Sequence, residues 1–158
     1  VGAGTGATVG KIGGPATTRP GGVGSASVLL PDGVTVVGAL VVVNALGYVL
    51  DDMTPTAPSS TMPPADMTPG MNTTIAVVAT SARLGKAQAT KMAQMAHDGL
   101  ARAIRPLHTP FDGDVVFALS SPTPDALPAD AAEMTEIGAM AAETLTRAVL
   151  RAVAMAAD

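Results

Sequence analysis

The chain has no cysteine and no tryptophan, and aromatic residues make up only 2% of its 158 positions. Without thiols it has no disulfide framework, no thiolate metal site and no cysteine nucleophile. Lysine and arginine number 9 against 13 aspartates and glutamates, for a formal net charge of −4. This shortage of cations argues against nucleic acid and against an anionic membrane surface as partners. We expect no cofactor and no bound metal.

The sequence also lacks an unbroken apolar run of the length that a membrane span requires, about 18–20 residues. Its most apolar segment, Val34–Leu50, is interrupted by Gly38, Asn44 and Gly47. The first residues contain no basic region and no leucine-rich core, so we recognise no secretory signal and expect a cytoplasmic protein. Because the chain starts on valine within a glycine-rich pattern, we interpret it as a fragment of a longer protein.

Hydrophobic patterning predicts strands and helices in a layered α/β arrangement. The continuous apolar run at Val34–Val43 predicts a strand buried on both faces. Residues 1–26 are interpreted as a glycine-rich loop, and residues 51–71, which hold five prolines, as a mobile linker. The other predicted strands are Val28–Leu30, Gly47–Leu50, Thr74–Thr80 and Val115–Ser121, and the predicted helices are 81–104 and Ala131–Ala157.

The N-terminal glycines do not match a nucleotide-binding loop. A phosphate loop requires G-x-x-x-x-G-K-[ST], but Thr5 replaces its first glycine and Ile12 follows Lys11. The dinucleotide pattern G-x-G-x-x-G fails as well. Lys11 is nevertheless the only cation in the first 18 residues, among small and apolar neighbours. A poorly solvated lysine has a lowered pKa and can act as a base, so Lys11 is a candidate functional residue.

Other polar residues each allow two interpretations. Asn44, at the end of an apolar strand, is either a cap bonded to backbone or a donor for a developing oxyanion. Asp112 and Asp114 precede a strand and are either a turn with solvated acids or a functional pair. His97 and His108, predicted on a helix and in a loop, lack the spacing of a metal pair and are interpreted as structural residues.

Asn72-Thr73-Thr74 follows the proline-rich segment and opens a predicted buried strand. A threonine hydroxyl is a weak nucleophile unless a base activates it, and its own α-amino group, with a free pKa of about 7.7–8.0, can serve. Only an N-terminal threonine has that amine, so this chemistry predicts cleavage between Asn72 and Thr73. The alternatives are a plain loop-to-strand junction and a glycosylation sequon, which has little weight without a secretory signal.

Several stretches of the chain carry a family resemblance: GAGTGATVGK, GGVGSAS, VVGALVVVNALG, NTTIAVVATSARL, AHDGLARAIRPLHTPFDGDVVFAL and the closing alanine-rich helix. They resemble the L-aminopeptidase/D-esterase (DmpA-type) and β-aminopeptidase family, which includes nylon-oligomer (6-aminohexanoate oligomer) endo-hydrolases. The resemblance implies an αββα sandwich of the N-terminal-nucleophile type, as in DmpA and ornithine acetyltransferase. It implies that residues 1–72 are the C-terminal part of an α chain and 73–158 a β chain, released by self-cleavage and folded as one domain.

The resemblance also implies roles for individual residues. Thr73 would be the nucleophile and Asn44 the amide on the oxyanion side. Lys11 matches a lysine of the nylon-hydrolase branch, and Asp112 and Asp114 match its two acids. Family members carry a longer α chain, and its N-terminal portion is missing from this sequence.

The expected function is amide hydrolysis of peptides or amide oligomers through an acyl-threonine intermediate. Acyl transfer to an amine and a non-catalytic role in assembly remain alternatives. The expected partners are the small substrate and the protein's own α and β fragments. The Ala/Met-rich helices also favour a homo-oligomer.

Overall fold

A computed structural model describes residues 2–51 and 68–156, so the predicted mobile linker at 51–71 lies mostly outside the described residues. In chain order the elements are β1 Thr8–Val9, a 3-10 helix Lys11–Gly13, β2 Arg19–Pro20, β3 Gly22–Leu29, β4 Val36–Asn44, β5 Tyr48–Val49, β6 Thr73–Thr80, α1 Lys86–Ala103, β7 Ile104–Arg105, β8 Val115–Ser120 and α2 Ala131–Ala156. Neither of these two helices is long and apolar enough to cross a membrane.

The main sheet has four strands in the order β3-β4-β6-β8. β3, β4 and β6 pair antiparallel, whereas β6 and β8 pair parallel. A parallel pair requires a crossover connection, which α1 provides. Strands β1 and β2 form a separate two-stranded sheet, and so do β5 and β7.

Both helices pack on one face of the main sheet, and small residues allow a very close approach. The inward side chains of β4, among them Val37, Val41 and Val43, are fully buried. A Cβ at Gly24 of β3 would lie 2.0 Å from the carbonyl oxygen of Ala148 in α2. The core therefore consists of aliphatic side chains and of backbone segments that pack closely, as expected where aromatic residues are scarce.

The opposite face of the sheet is exposed although much of it is apolar. Leu40, Ile75, Phe117 and Leu119 are exposed there, the last two by 54% and 56%. The prediction that residues 34–43 are buried on both faces is therefore wrong within the described residues, since no described helix covers this side. The described residues form one helical layer and one sheet layer, which is half of an αββα sandwich.

Other differences from the predicted elements lie near the N-terminus and before α1. The interpretation of residues 1–26 as a loop is wrong in part, because β3 begins at Gly22, well before Val28. The glycines of β3 are required where α2 approaches the strand, whereas in the sequence a glycine-rich segment resembles a loop. α1 begins at Lys86, after N-cap Gly85, and not at 81. The predictions of β5, β6, β8 and α2 are confirmed to within one or two residues.

Gly99 tests the close packing of α1 against α2. A Cβ there would lie 2.1 Å from the carbonyl oxygen of Ala142, so Gly99→Ala forces the helices apart. We expect a loss of about 1–3 kcal/mol in the free energy of unfolding, measured by denaturant titration. Gly38→Ala is the matched control, because its Cβ would meet only the carbonyl oxygen of Ala26, at 3.9 Å. Equal stability of the two variants would contradict this account.

Candidate active site

The register of β4 and β6 places Asn44 directly opposite Thr73. Residues opposite each other in a ladder project to the same face. Thr74 is 0% exposed beneath the helices, so the side chain of Thr73 projects to the other face. Asn44 ends β4 and Thr73 begins β6, so both lie at one edge of the apolar sheet face.

The peptide bond between Asn72 and Thr73 is held by donors to its carbonyl oxygen. Thr73 Oγ1 donates to the carbonyl oxygen of Asn72 at 2.7 Å. The backbone N–H of Gly113 donates to the same oxygen, also at 2.7 Å. A Cβ at position 113 would lie 2.9 Å from Thr73 Oγ1, so a glycine is needed for this approach. Asn72 is itself buried and forms a parallel bridge with Asp112.

Lys11 and Asn44 form the second part of the site. Lys11 Nζ donates to Asn44 Oδ1 at 2.7 Å and to the carbonyl oxygen of Thr8 at 3.1 Å. The backbone N–H of Thr8 also donates to Asn44 Oδ1, at 3.1 Å. Two donors on Oδ1 settle the orientation of the amide, so its Nδ2 group points away from Lys11. Burial lowers the pKa of Lys11 to about 8, although the charge of Asp112 acts to raise it.

The two aspartates accept hydrogen bonds from different segments of the backbone. Asp112 accepts hydrogen bonds from the backbone N–H groups of Leu46, at 3.2 Å, and Thr109, at 3.1 Å. Asp114 accepts from the backbone N–H of Thr74 through Oδ1, at 2.8 Å. Its side chain is 0% exposed, so the alternative of a solvated acid is wrong for Asp114. The Asp114 carboxylate thus binds the residue that follows Thr73.

The two histidines contact each other and one of the candidate acids, which their spacing in the sequence does not indicate. His108 Nδ1 lies 2.9 Å from Asp114 Oδ2, and His97 Nδ1 lies 3.0 Å from His108 Nε2. His108 has a positive φ of 55°, an uncommon conformation for a non-glycine residue. Folding brings α1 beside the loop before β8, a contact that sequence spacing does not encode. Within residues 2–51 and 68–156, no cluster of three or more His, Asp or Glu side chains could hold a metal ion.

Two open cavities adjoin Thr73. The larger, of about 880 Å³, is lined by residues that include Lys11, Asn44 and Asn72. The smaller, of about 450 Å³, is lined by His97, His108, Thr109 and residues 112–114. Thr73 Oγ1 and the Gly113 N–H both donate to the carbonyl oxygen of Asn72, so this oxygen connects a residue of each cavity with the Thr73 hydroxyl. All five candidate residues thus lie in or beside one region of the fold.

Gly113, Thr8 and the histidines were missed as members of this site by sequence reasoning. Gly113 stands between the two candidate acids, and this position was the available signal. Thr8 contributes backbone atoms, which carry no signature in the sequence.

The model of peptidase family S58 matches residues 1–158. The chain belongs to peptidase family S58. It is 41% identical over 180 aligned positions to the uncharacterized aminopeptidase ML1167 of Mycobacterium leprae (strain TN), an alignment covering 97% of this chain and 48% of that protein. It is 33% identical over 99 positions to the 6-aminohexanoate-oligomer endohydrolase of Kocuria sp. (strain KY2), covering 58% of this chain and 27% of that protein.

The fold of this S58 chain is similar to that of the L-aminopeptidase D-Ala-esterase/amidase of Ochrobactrum anthropi, described as a variant of the Ntn hydrolase fold. The TM-score is 0.63 at 22% identity, over 84% of this chain and 40% of that one. The predictions of family and fold class are thereby confirmed. The S58 chain spans about half the length of the curated aminopeptidases that it matches.

The environment of Lys11 can be tested by titration. Its amine is expected to lose its proton near pH 8, because burial disfavours the charged form. Asp112→Asn removes a negative charge that favours the ammonium, so the pKa of Lys11 should fall further. NMR titration of the Lys11 side-chain signals measures both values. Asp32→Asn, in the β3–β4 turn, is the control and should leave the Lys11 titration unchanged; an unchanged value in Asp112→Asn would contradict the assigned interaction.

Proposed function

We propose that the protein is a self-processing amidohydrolase that cuts its own Asn72–Thr73 bond and then uses Thr73 to hydrolyse amide bonds. One observation carries the proposal: the Thr73 hydroxyl and the Gly113 N–H both donate to the carbonyl oxygen of Asn72, each at 2.7 Å. A hydroxyl that is held at hydrogen-bond distance from a polarised carbonyl, in a largely buried site, is well placed to attack that carbonyl.

Self-cleavage follows from this geometry as an acyl shift. Thr73 Oγ1 attacks the carbonyl carbon of Asn72, and negative charge develops on the oxygen that already accepts the Gly113 N–H. The C–N bond breaks, and the nitrogen of Thr73 takes up the proton that the hydroxyl has released and becomes an amine. Water then hydrolyses the ester, leaving a carboxylate on Asn72. Residues 1–72 and 73–158 become the α and β segments of one domain.

The released Thr73 carries a hydroxyl and an amine on the same residue. In the hydrolytic reaction Thr73 Oγ1 attacks the substrate carbonyl, while its amine or the Lys11 amine accepts the hydroxyl proton. A lysine whose pKa is about 8 has a substantial neutral fraction near that pH, so it is able to accept a proton. The leaving amine then takes a proton, and water hydrolyses the acyl-threonine ester.

Asn44 and the two aspartates support these steps. The Nδ2 group of Asn44 faces away from Lys11 and, with a backbone N–H, donates to the substrate oxyanion. Asp112 stabilises the charged form of Lys11. Asp114, bonded to the N–H of Thr74, orients the segment that carries the new amine.

The substrate class is peptides or amide oligomers. Relatives of the chain are named as aminopeptidases and as 6-aminohexanoate-oligomer endohydrolases. Incubation of the full-length protein with short peptides, D-amino-acid amides and 6-aminohexanoate oligomers distinguishes cleavage at the chain end from cleavage within the chain. Release of single N-terminal residues indicates an aminopeptidase, whereas internal fragments indicate an endo-acting hydrolase. If none of these substrates gives a product, the proposal is contradicted. We also propose a homo-oligomer of the processed protein, which light scattering measures.

Replacement of Thr73 tests the nucleophile. Thr73→Ala should remain one uncut chain, because it has no hydroxyl to attack the Asn72 carbonyl, while wild type yields a fragment starting at residue 73. Intact-mass spectrometry of the purified protein distinguishes the two. Thr74→Val is the matched control, since the Thr74 hydroxyl is buried without a hydrogen-bond partner and its removal should leave cleavage intact. A cut at the same bond in Thr73→Ala would refute the assignment.

Replacement of Gly113 tests the geometry around that hydroxyl. The new Cβ of Gly113→Ala would lie 2.9 Å from Thr73 Oγ1 and displace it from the scissile carbonyl. We expect cleavage to slow by about 10–100-fold, measured as the accumulation of the 73–158 fragment over time. Gly38→Ala on the same sheet should process at the wild-type rate. Wild-type cleavage in Gly113→Ala would show that this contact does not govern the reaction.

A further inference from the structure

A continuous hydrogen-bonded row connects the surface of α1 with the buried strand that begins at Thr73. His97 Nδ1 lies 3.0 Å from His108 Nε2, and His108 Nδ1 lies 2.9 Å from Asp114 Oδ2. Asp114 Oδ1 in turn accepts the N–H of Thr74 at 2.8 Å. The rings of His97 and His108 meet edge to face, with centroids 4.8 Å apart.

The exposure of the row changes along its length. The side chain of His108 is 43% exposed and that of Asp114 is 0% exposed. A buried carboxylate needs hydrogen-bond donors to remain ionised, and here it has the Thr74 N–H and the imidazole. The His108 backbone N–H adds a further bond to Asp114 Oδ2, at 3.3 Å. The backbone of His108 adopts its positive φ in this arrangement, so the loop is shaped around Asp114.

The hydrogen bond between the two imidazoles admits a single proton. When the pair is neutral, His108 donates Nδ1–H to Asp114 and accepts from His97 Nδ1–H, so His97 Nε2 is without a proton. A proton taken up at His97 Nε2 allows the shared proton to pass to His108 Nε2. The positive charge then lies on His108, next to the carboxylate, without any heavy atom changing position.

The charged groups around the pair shift the pKa of His97 in opposite directions. Burial lowers the pKa of His97, and His108 lowers it further. Asp114 and Asp98 act in the opposite direction, and Asp112 lines the same cavity. Because two adjacent imidazolium ions repel each other, the pair takes up one charge before a second.

We propose that His97 and His108 act together as a proton-coupled positioning pair that sets the charge balance at Asp114 and thereby the reactivity of Thr73. This inference rests on the proposed function. With the pair neutral, Asp114 keeps its full negative charge toward the start of β6. With the pair charged, the imidazolium of His108 neutralises that charge and weakens the hold of Asp114 on the Thr74 N–H, and so on the segment that carries the Thr73 amine.

The reaction rate should therefore fall as the pH drops through the titration of the pair. The test uses the full-length processed protein, with kcat and KM for an amide substrate measured between about pH 5 and 9, the range in which histidine titrates. In parallel, NMR of the imidazole nitrogens follows the protonation of both rings. Protonation of the Lys11 and Thr73 amines near pH 8 lowers kcat first, and a second loss of wild-type kcat at lower pH should coincide with the NMR titration of the pair. Asp114→Asn should lower the pKa of His97, because it removes a carboxylate that raises it.

Two variants and one control separate positioning from a structural role. His108→Asn should abolish this second loss and reduce kcat above it by roughly tenfold with little change in KM. His97→Gln, on half-buried helix surface, should keep most of the activity and move that loss to higher pH, because the amide oxygen can accept from a protonated His108. Lys91→Gln removes a charge from an exposed position of the same helix and should leave the profile unchanged.

The outcomes distinguish this inference from the proposed function. If wild type neither cuts itself at residue 73 nor hydrolyses any amide, both proposals fail. If wild type is active and both histidine variants retain its second loss of kcat unchanged, only the positioning pair is overturned. Independent titration of the two imidazoles by NMR would overturn it as well.

Discussion

The pairing of β6 with its two neighbours is the constraint on which the site depends. Antiparallel pairing with β4 sets Thr73 opposite Asn44, and parallel pairing with β8 brings Asn72 beside Asp112. Each ladder has a single register that keeps apolar side chains under the helices, because a shift by one residue would turn them to the other face. The burial of the core therefore aligns the candidate residues, and Thr73 is held by strand pairing at the start of β6.

The site divides its charges between two sides of Thr73. On one side, Lys11 is poorly solvated and bonded to neutral oxygens, so its pKa is lowered to about 8. On the other side, Asp114 is buried and satisfied by an N–H group and an imidazole. Neither group would hold this state in water, where solvation favours the ammonium and leaves the carboxylate unoriented. Partial burial thus provides both an amine that loses its proton near pH 8 and a directed negative charge.

The fold could be predicted from the sequence wherever burial leaves a periodic pattern. Thr73–Thr80, Val115–Ser120 and Ala131–Ala156 match their predicted spans closely, because each has a continuous or helical apolar pattern. β3 was mostly missed, since its glycines serve the close approach of α2 and resemble a loop in composition. The two-sided burial expected of β4 depends on a second layer that the described residues do not contain, and the chain spans about half the length of its aminopeptidase relatives.

By itself, the sequence determined the candidate residues and their order: a lysine after glycines, an amide at a strand end, a threonine at a strand start, and two acids before another strand. Those features are local, because strand boundaries and poor solvation of a lone cation leave marks in neighbouring residues. Only the tertiary structure decided that Gly113 donates to the Asn72 carbonyl and that His97 reaches Asp114 through His108. Such contacts join segments far apart in the chain, and their geometry follows from strand register and helix packing, which no short pattern records.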